Sequence, residues 1–332
     1  MRIVVDAMGS DHHPGPDVAG AVMAARAFAD TIILVGDQAG IEAELARHNT
    51  AGLSLEVHHA AQTITMSDKP GDVVKGKPTS SMHVGLKLVK MGAADAFVSA
   101  GNTGAILAIA MLGPVGLGRI RGVKRPAMGV IFPIETRPLL IDNGANTDCK
   151  PEYLVQFGLM GSLYVERMLG RPNPRVALLS NGEEAGKGNL LVKETIPLLA
   201  ASGLNYVGNI EPKEFMQGAA DVGVVDGFSG NLIMKTAEAI AGYMNGLIRS
   251  ELMRNPLTIL GGLLARSAFK QVRRRLDPDE VGGAPLLGVN GVVIIGHGRS
   301  NAYAIQQAIG QARRMVENQV VQAITAGLND SP

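Results

Sequence analysis

Six times in this chain a short apolar run ends in a glycine-rich polar turn, and this repetition restricts the fold more than any other feature. The turns are Asp6–Asp11, Ser99–Gly104, Asp142–Asn146, Asn181–Asn189, Asp226–Asn231 and Gly296–Asn301. The runs before them are Ile3–Val5, Ala96–Val98, Leu139–Ile141, Val176–Leu179, Val222–Val225 and Val292–Ile295. Helix-compatible sequence follows most of them, so the order strand, turn, helix predicts an α/β fold. In an open α/β sheet the carboxyl ends of strands carry the ligand site. Glycines there let backbone N–H groups approach an anion, and a following helix N-terminus favours negative charge. Six such turns, with Asn, Ser and Asp recurring inside them, predict one large site built from many loops.

Composition suits a tightly packed, helix-covered parallel sheet. Hydrophobic residues make up 46% of the 332, aromatics only 4%, Trp is absent and there are 42 glycines. The core is therefore built from Ala, Val, Ile, Leu and Met. A formal net charge of +1 gives no bulk affinity for nucleic acid, so any basic patch is local. The single Cys149 excludes an intrachain disulfide and fits a reducing cytoplasm. The first apolar run is too short for a signal h-region. Ala96–Gly118 carries no charge, but Gly101, Asn102, Gly104, Gly113, Pro114 and Gly116 interrupt it. It reads as a buried strand, a polar turn and a buried helix rather than a membrane span.

Along the chain the pattern predicts a helix over Val18–Ala29, a strand over Thr31–Val35, a short helix over Ile41–Arg47 and a strand over Leu53–His58. Asp68–Ser80 has neither period and reads as a functional loop, with a helix over Ser81–Met91 after it. No internal repeat or low-complexity linker divides the chain, so residues 1–332 read as a single α/β catalytic domain. Residues 240–285 form a helical arm within it. A helix is expected over Leu232–Met253, and Pro256–Leu276 follows. On one helical wheel Leu260, Leu264, Ala268, Val272 and Leu276 share a side, while Arg266, Lys270 and Arg273 share the other. Arg266, Lys270, Arg273, Arg274 and Arg275 follow one another with no acid among them. A dimer arm, a membrane-surface helix and a dock for an acidic partner all fit that pattern.

Gly182–Lys187 has the flavour of a phosphate-binding loop, but three residues separate its glycines and Gly188 follows the lysine, so a magnesium–nucleotide P-loop is disfavoured. A lysine between two glycines at the start of a helix is still a good anion contact. Gly296–Asn301 falls short of a dinucleotide fingerprint because Asn301 replaces the third glycine. His297, between two glycines, is accessible and reads either as a site residue or as a solvated one. The pairs His12-His13 and His58-His59 lack metal-ligand form, since strand neighbours point to opposite faces. Cys149 has no local histidine and reads as an inert thiol. No metal and no cofactor is expected. What remains is an anion site without an obvious nucleophile, which suits a substrate that is itself the nucleophile. Inorganic phosphate, largely dianionic near neutral pH, needs positioning and charge compensation rather than a general base.

Asp6–Asp11, Lys77–Met82, Ala94–Ala105, Asn181–Glu184, Lys187–Asn189, Asp226–Asn231 and Gly282–Gly288 together resemble the bacterial phosphate acyltransferases of phospholipid synthesis. The likeness spans nearly the whole chain, in order. Two departures are Ser10, where that family usually has a second glycine, and Asn143, where valine is expected; neither removes a charge. The resemblance implies a Rossmann-like α/β/α sandwich of the isocitrate dehydrogenase and phosphotransacetylase type, with protruding helices that pair in a homodimer. It implies conversion of acyl-(acyl-carrier protein) and inorganic phosphate to acyl phosphate and free carrier, on the inner face of the membrane. The anionic membrane surface and a downstream glycerol-3-phosphate acyltransferase would be its partners. Lys187 and Asn231 map as leading catalytic candidates, with His297 beside them. Asp6, Ser10, Ser99, Asn102, Thr103, Asn143, Asn146, Asn181 and Asp226 are the expected phosphate and substrate contacts. Leu260, Leu264, Arg266, Lys270, Arg273, Arg274 and Arg275 are the expected carrier or membrane contacts. Two rivals fit parts of the pattern: a nicotinamide-dependent dehydrogenase of related fold, and a non-catalytic membrane scaffold.

Overall fold

The computed structural model describes residues 1–184, 186–275 and 278–329. Its strands are β1 (Arg2–Asp6), β2 (Thr31–Gly36), β3 (Leu55–His59), β4 (Ala96–Ser99), β5 (Ala127–Ile131), β6 (Leu139–Ile141), β7 (Val176–Leu179), β8 (Tyr206–Ile210), β9 (Val222–Val224), β10 (Ala284–Leu287) and β11 (Val292–Ile295). They form one sheet in the order β3-β2-β1-β4-β11-β10-β5-β6-β9-β7-β8. The helices on the first half are α1 (Gly15–Phe28), α2 (Gln38–Leu45), α3 (Pro70–Gly76), α4 (Ser81–Lys90) and α5 (Thr103–Met111). Then come α6 (Pro151–Leu169), α7 (Leu190–Ala200), α8 (Pro212–Met216), α9 (Gly227–Leu252), α10 (Pro256–Leu264), α11 (Arg266–Arg275), α12 (Ala302–Glu317) and α13 (Val320–Asn329).

The sheet is not wholly parallel. Strands β3, β2, β1, β4 and β11 are mutually parallel. β10 is antiparallel to both β11 and β5, and β5 is antiparallel to β6. β6, β9, β7 and β8 are again parallel to one another but run opposite to β1. Both faces of the central strands are covered, so Ile3, Val5 and Val98 join one core while Val4, Phe97 and Val293 join another. The first core continues across the antiparallel seams to Val176 and Val222. Small residues bring the layers close: a Cβ on Gly20 of α1 would lie 2.7 Å from the Ala302 carbonyl oxygen of α12.

Three local expectations change. The Asp68–Ser80 loop contains α3, opened by Pro70 at its first position and closed after Gly76. It is pinned by Lys77, which donates to Asp68 at 2.6 Å and to the Thr63 carbonyl at 2.8 Å. The helix expected from Leu232 starts earlier, at Gly227, because the Asp226 carboxylate caps it by accepting from Ser229 N at 2.9 Å.

The single helix expected over Pro256–Leu276 is two, α10 and α11, broken at Ala265. α10 folds back on α9, with Gly262 turned toward Leu252. Among its buried residues α9 counts only Gly227 and Gly230, so most of its length leaves the body as an arm. Leu260, Leu264, Arg266 and Lys270 are exposed on this arm, as are Leu257, Leu263, Phe269 and Val272. The side chains of Arg273, Arg274 and Arg275, and all of Leu276, lie outside the described residues. No helix among the described residues is long and apolar enough to cross a membrane.

Candidate active site

The six turns gather as three and three. The turns after β1, β4 and β11 form the first group, because those strands are neighbours in the sheet. Asp11 N donates to the Gly298 carbonyl at 2.7 Å, and Gly296 N donates to the Ser99 carbonyl at 2.8 Å. Ser99 Oγ donates to Asp6 Oδ2 at 2.6 Å and accepts from Gly101 N at 3.1 Å. Ser10 Oγ donates to Asp17 Oδ2 at 2.5 Å, one turn into α1. Asp6, Ser10, Asp17 and Ser99 are all buried, so they set the course of the turn backbones from within rather than presenting side chains to a ligand. Desolvation raises the pKa of both carboxyls, that of Asp17 to about 7.

Asn102 is similarly committed. Its Oδ1 accepts from Ala105 N at 3.0 Å, capping α5. Its Nδ2 donates to the carbonyls of Thr65, Met66 and Asp68, tying the loop before α3 to this turn. Thr103, the next residue, is half-buried at the start of α5. His297 is exposed, and its Nδ1 accepts from Arg299 N at 3.3 Å, which assigns the proton to Nε2. The surrounding protein desolvates part of the ring; this, with the positive charges of Arg299 and Lys235, holds its pKa below 6.5. Near neutral pH it is a neutral N–H donor.

The turns after β6, β7 and β9 form the second group. Asp142, buried and following a cis peptide, is an acceptor hub. Its Oδ1 accepts from Met128 N at 2.8 Å and Ala145 N at 3.2 Å, and its Oδ2 from Asn146 N at 2.7 Å and Asn146 Nδ2 at 2.9 Å. Burial nevertheless raises its pKa to about 6. Asn146 passes the connection on: its carbonyl accepts from Gly227 N at 2.7 Å at the head of α9. A Cβ at Gly230 would overlap the Asp142 carbonyl oxygen, so only glycine lets α9 seat here. Asn143 Oδ1 is buried and meets no donor among the described residues. Cys149 Sγ lies 3.5 Å from the Asn146 carbonyl, and burial drives its thiol up to about 12, so it is no nucleophile at neutral pH.

On the turn after β7, Asn181 Oδ1 accepts from Gly188 N at 2.9 Å, and Asn189 caps α7 through Val192 N at 2.9 Å. Lys187 lies between them, exposed, with no ion pair among the described residues. Behind this turn opens a cavity of about 490 Å³ lined by Asn181, Gly188, Asn189, Asp226 and Ser229 together with apolar residues of β7, α6, α7 and α9.

α9 connects the two groups. Asn231, exposed, stands against Gly144 of the turn after β6. Lys235 and Glu238, paired at 3.2 Å, lie four and seven residues further on and share its helical face. Both act electrostatically on His297. Lys235 and Glu238 thus lie within electrostatic range of His297 on the face of α9 that carries Asn231, and Lys187 stands on the turn beside the cavity at that helix's N-terminus. Lys235, Glu238 and Asp17 are additions that the turn pattern alone does not single out; the four- and seven-residue spacing from Asn231 is the signal for the first two. Among the described residues, no three His, Cys, Asp or Glu side chains converge as metal ligands would.

The model of the family described as fatty acid synthesis protein matches residues 1–323. The chain is 46% identical to the phosphate acyltransferase of Herpetosiphon aurantiacus over 362 aligned positions, covering 99% of this chain and 98% of that one. It is 44% identical to the phosphate acyltransferase of Trichlorobacter lovleyi, covering 100% and 95%. Its fold is similar to that of a phosphotransacetylase from Streptococcus pyogenes, with a TM-score of 0.61, 18% identity and coverage of 97% and 94%. The mixed sheet and its covering helices thus have a solved counterpart, and the chain belongs to the phosphate acyltransferase family of fatty acid synthesis proteins.

Proposed function

We propose that this protein transfers the acyl group of acyl-(acyl-carrier protein) to inorganic phosphate, releasing acyl phosphate and free carrier for phospholipid synthesis. A phosphate oxygen attacks the thioester carbonyl, the C–S bond breaks, and the pantetheine thiolate leaves and takes up a proton. The observation that most supports this reading is Lys187, with no ion pair among the described residues, beside the α7 N-terminus, in a chain whose full-length relatives are named phosphate acyltransferases. An ammonium and backbone N–H groups at that point compensate phosphate charge and the developing oxyanion. Asn231 would orient phosphate or carbonyl, and neutral His297 would donate a hydrogen bond from Nε2. Asn102, Thr103, Asn143, Asn146, Asn181 and Asp226 would line or shape the substrate path, with Asp6, Ser10 and Ser99 supporting it from inside.

On this reading the whole chain works as one catalytic unit and the arm serves its partners. The exposed leucines and basic residues of α10 and α11 would meet an anionic membrane, the acidic carrier or a second copy of the chain, so the acyl phosphate emerges near the glycerol-3-phosphate acyltransferase that would use it. A thiol-release assay with palmitoyl-carrier protein tests the reaction. Thiol should appear only when phosphate is added; phosphate-independent release would mark a thioesterase, and no release would remove the proposal.

A further inference from the structure

The cavity behind the Lys187 turn divides by chemistry. Its floor is Leu154 of α6, Leu178 and Leu179 of β7 and Val225, all buried. Val192 of α7 and Ile233 of α9 stand half-buried in its walls. Its polar side chains belong to the turns at the strand ends: Ser180, Asn181 and Asn189 on one side, Asp226 and Ser229 on the other. Most of their acceptors are already used. Asn181 holds Gly188 N, Asn189 holds Val192 N, and Asp226 holds both Ser229 N and Ser229 Oγ. On the Asn181–Asn189 side the groups left to a ligand are donors, the amide Nδ2 of each, with Lys187 on the same turn; the Asp226 carboxylate and Ser229 Oγ stand on the other side. The site thus joins a hydrocarbon-lined floor to a polar rim whose Asn181–Asn189 side offers N–H donors, at about 490 Å³.

We propose that this cavity holds the hydrocarbon chain of the acyl substrate, with the thioester carbonyl at the Asn181–Asn189 rim, and that Val192 and Ile233 set the chain length accepted. The inference rests on the acyl-transfer reading above and assigns it a place. Phosphate has no business on a leucine floor, because an anion there would lose its hydration without a partner. A pantetheine arm carries two amides, and against Leu154, Leu178 and Val225 these would be buried without hydrogen bonds. An alkyl chain has no polar group to strand, and each methylene it buries favours binding by about fourfold. The volume falls within the range of small-molecule pockets. The polar head must then stay where donors are, which places the carbonyl within the reach of the Lys187 turn.

The test uses the full chain, saturating phosphate and one carrier protein loaded with acyl chains of four, eight, twelve and sixteen carbons. Wild-type kcat/KM should rise with chain length and level off when the cavity is full. Ile233→Trp narrows the wall and should lower kcat/KM for the sixteen-carbon substrate at least tenfold while leaving the four-carbon substrate within twofold. Val192→Ala removes wall atoms but keeps the backbone N–H that Asn189 caps, and should move the levelling-off to longer chains. Displacement of the fluorescent fatty acid cis-parinaric acid by palmitate reads the same site without turnover; Ile233→Trp should weaken parinarate binding at least tenfold. If wild type shows no phosphate-dependent turnover of any chain, the acyl-transfer reading fails. If wild type turns over but Ile233→Trp changes all chain lengths equally, or none, and parinarate binding is unaltered, the cavity is not the chain site. An equal fall at every length would instead put the carrier's arm there.

Discussion

Asn146 gives both of its nitrogens to one oxygen of Asp142, the backbone N at 2.7 Å and the side-chain amide at 2.9 Å. With Met128 N and Ala145 N on the other oxygen, the turn after β6 is built around a single buried carboxyl group. The Asn146 carbonyl then holds Gly227 N, so the same hub fixes the start of α9 and hence Asn231. Asp142→Ala leaves three backbone N–H groups without this acceptor and should cost about 3 kcal/mol or more, whereas Asn146→Ala removes only the side-chain amide, which also reaches the Pro126 carbonyl, and should cost about 1 kcal/mol. Urea unfolding of the two variants and of the double variant checks this. The double variant should cost less than the sum, because the donors share one acceptor.

Asp17 gives the fold a pH dependence of known sign. Its carboxyl is buried beside Asp6, has Oδ1 without a partner among the described residues, and its pKa is raised from 3.8 to about 7. The folded state therefore holds this proton more tightly than the unfolded chain does. The stability contributed by that proton is complete below 3.8 and is lost as pH rises through about 7. Asp17→Asn keeps the shape and removes the titration. Measured by thermal unfolding, the variant should gain on wild type steadily from about pH 4 to about pH 8. A constant difference over that range would show that Asp17 does not titrate in the fold.

Much of the first half of the sheet is legible because each buried strand is an apolar run stopped by a glycine turn. Strands β6, β7 and β11 fall on the residues that this rule picks out. β5 and β10 escape it: one carries Gly129 and the other Pro285, neither alternates, and the Gly288–Gly291 turn after β10 leads to another strand instead of a helix. These are the antiparallel strands, and they reverse the direction of everything beyond them. A one-dimensional pattern marks where strands end but not which way they run. The six turns therefore read as one cluster, whereas α9 must join two groups of three. The break at Ala265 is hidden for another reason, since Gly261 and Gly262 lie inside α10 and no strong breaker stands at the junction. Burial of Asp6, Ser10 and Ser99 is invisible in sequence because a polar residue in a polar turn carries no mark of the partner it will find.

Lys187 carries the charge compensation in this account. Lys187→Ala should lower kcat by roughly 10²–10³, the usual effect of removing an oxyanion stabiliser. Lys187→Arg, which keeps the charge but changes its geometry, should recover part of that loss. Asn231→Ala should raise the KM for phosphate if it orients that substrate, and circular dichroism should show both folds intact. An alanine at 187 with undiminished kcat would remove the lysine from the chemistry.

The arm makes its own prediction. Leu260→Glu with Leu264→Glu should release the protein from anionic vesicles, while turnover of soluble carrier substrate stays near wild type. Arg266→Glu with Lys270→Glu should raise the KM for the acidic carrier and weaken vesicle binding by about 1 kcal/mol per residue. Flotation with phosphatidylglycerol vesicles and steady-state kinetics separate these effects. Wild-type behaviour in both would leave the arm a contact between copies of the chain.

In the proposed reaction, phosphate itself attacks the thioester. Phosphorus-31 NMR of the protein with palmitoyl-carrier protein and phosphate tests it most directly. A new acyl phosphate resonance should grow with released carrier thiol in equal amount, disappear on adding hydroxylamine, and grow roughly 10²–10³ times more slowly with Lys187→Ala. Release of thiol with no acyl phosphate signal, and free palmitate in its place, would contradict it.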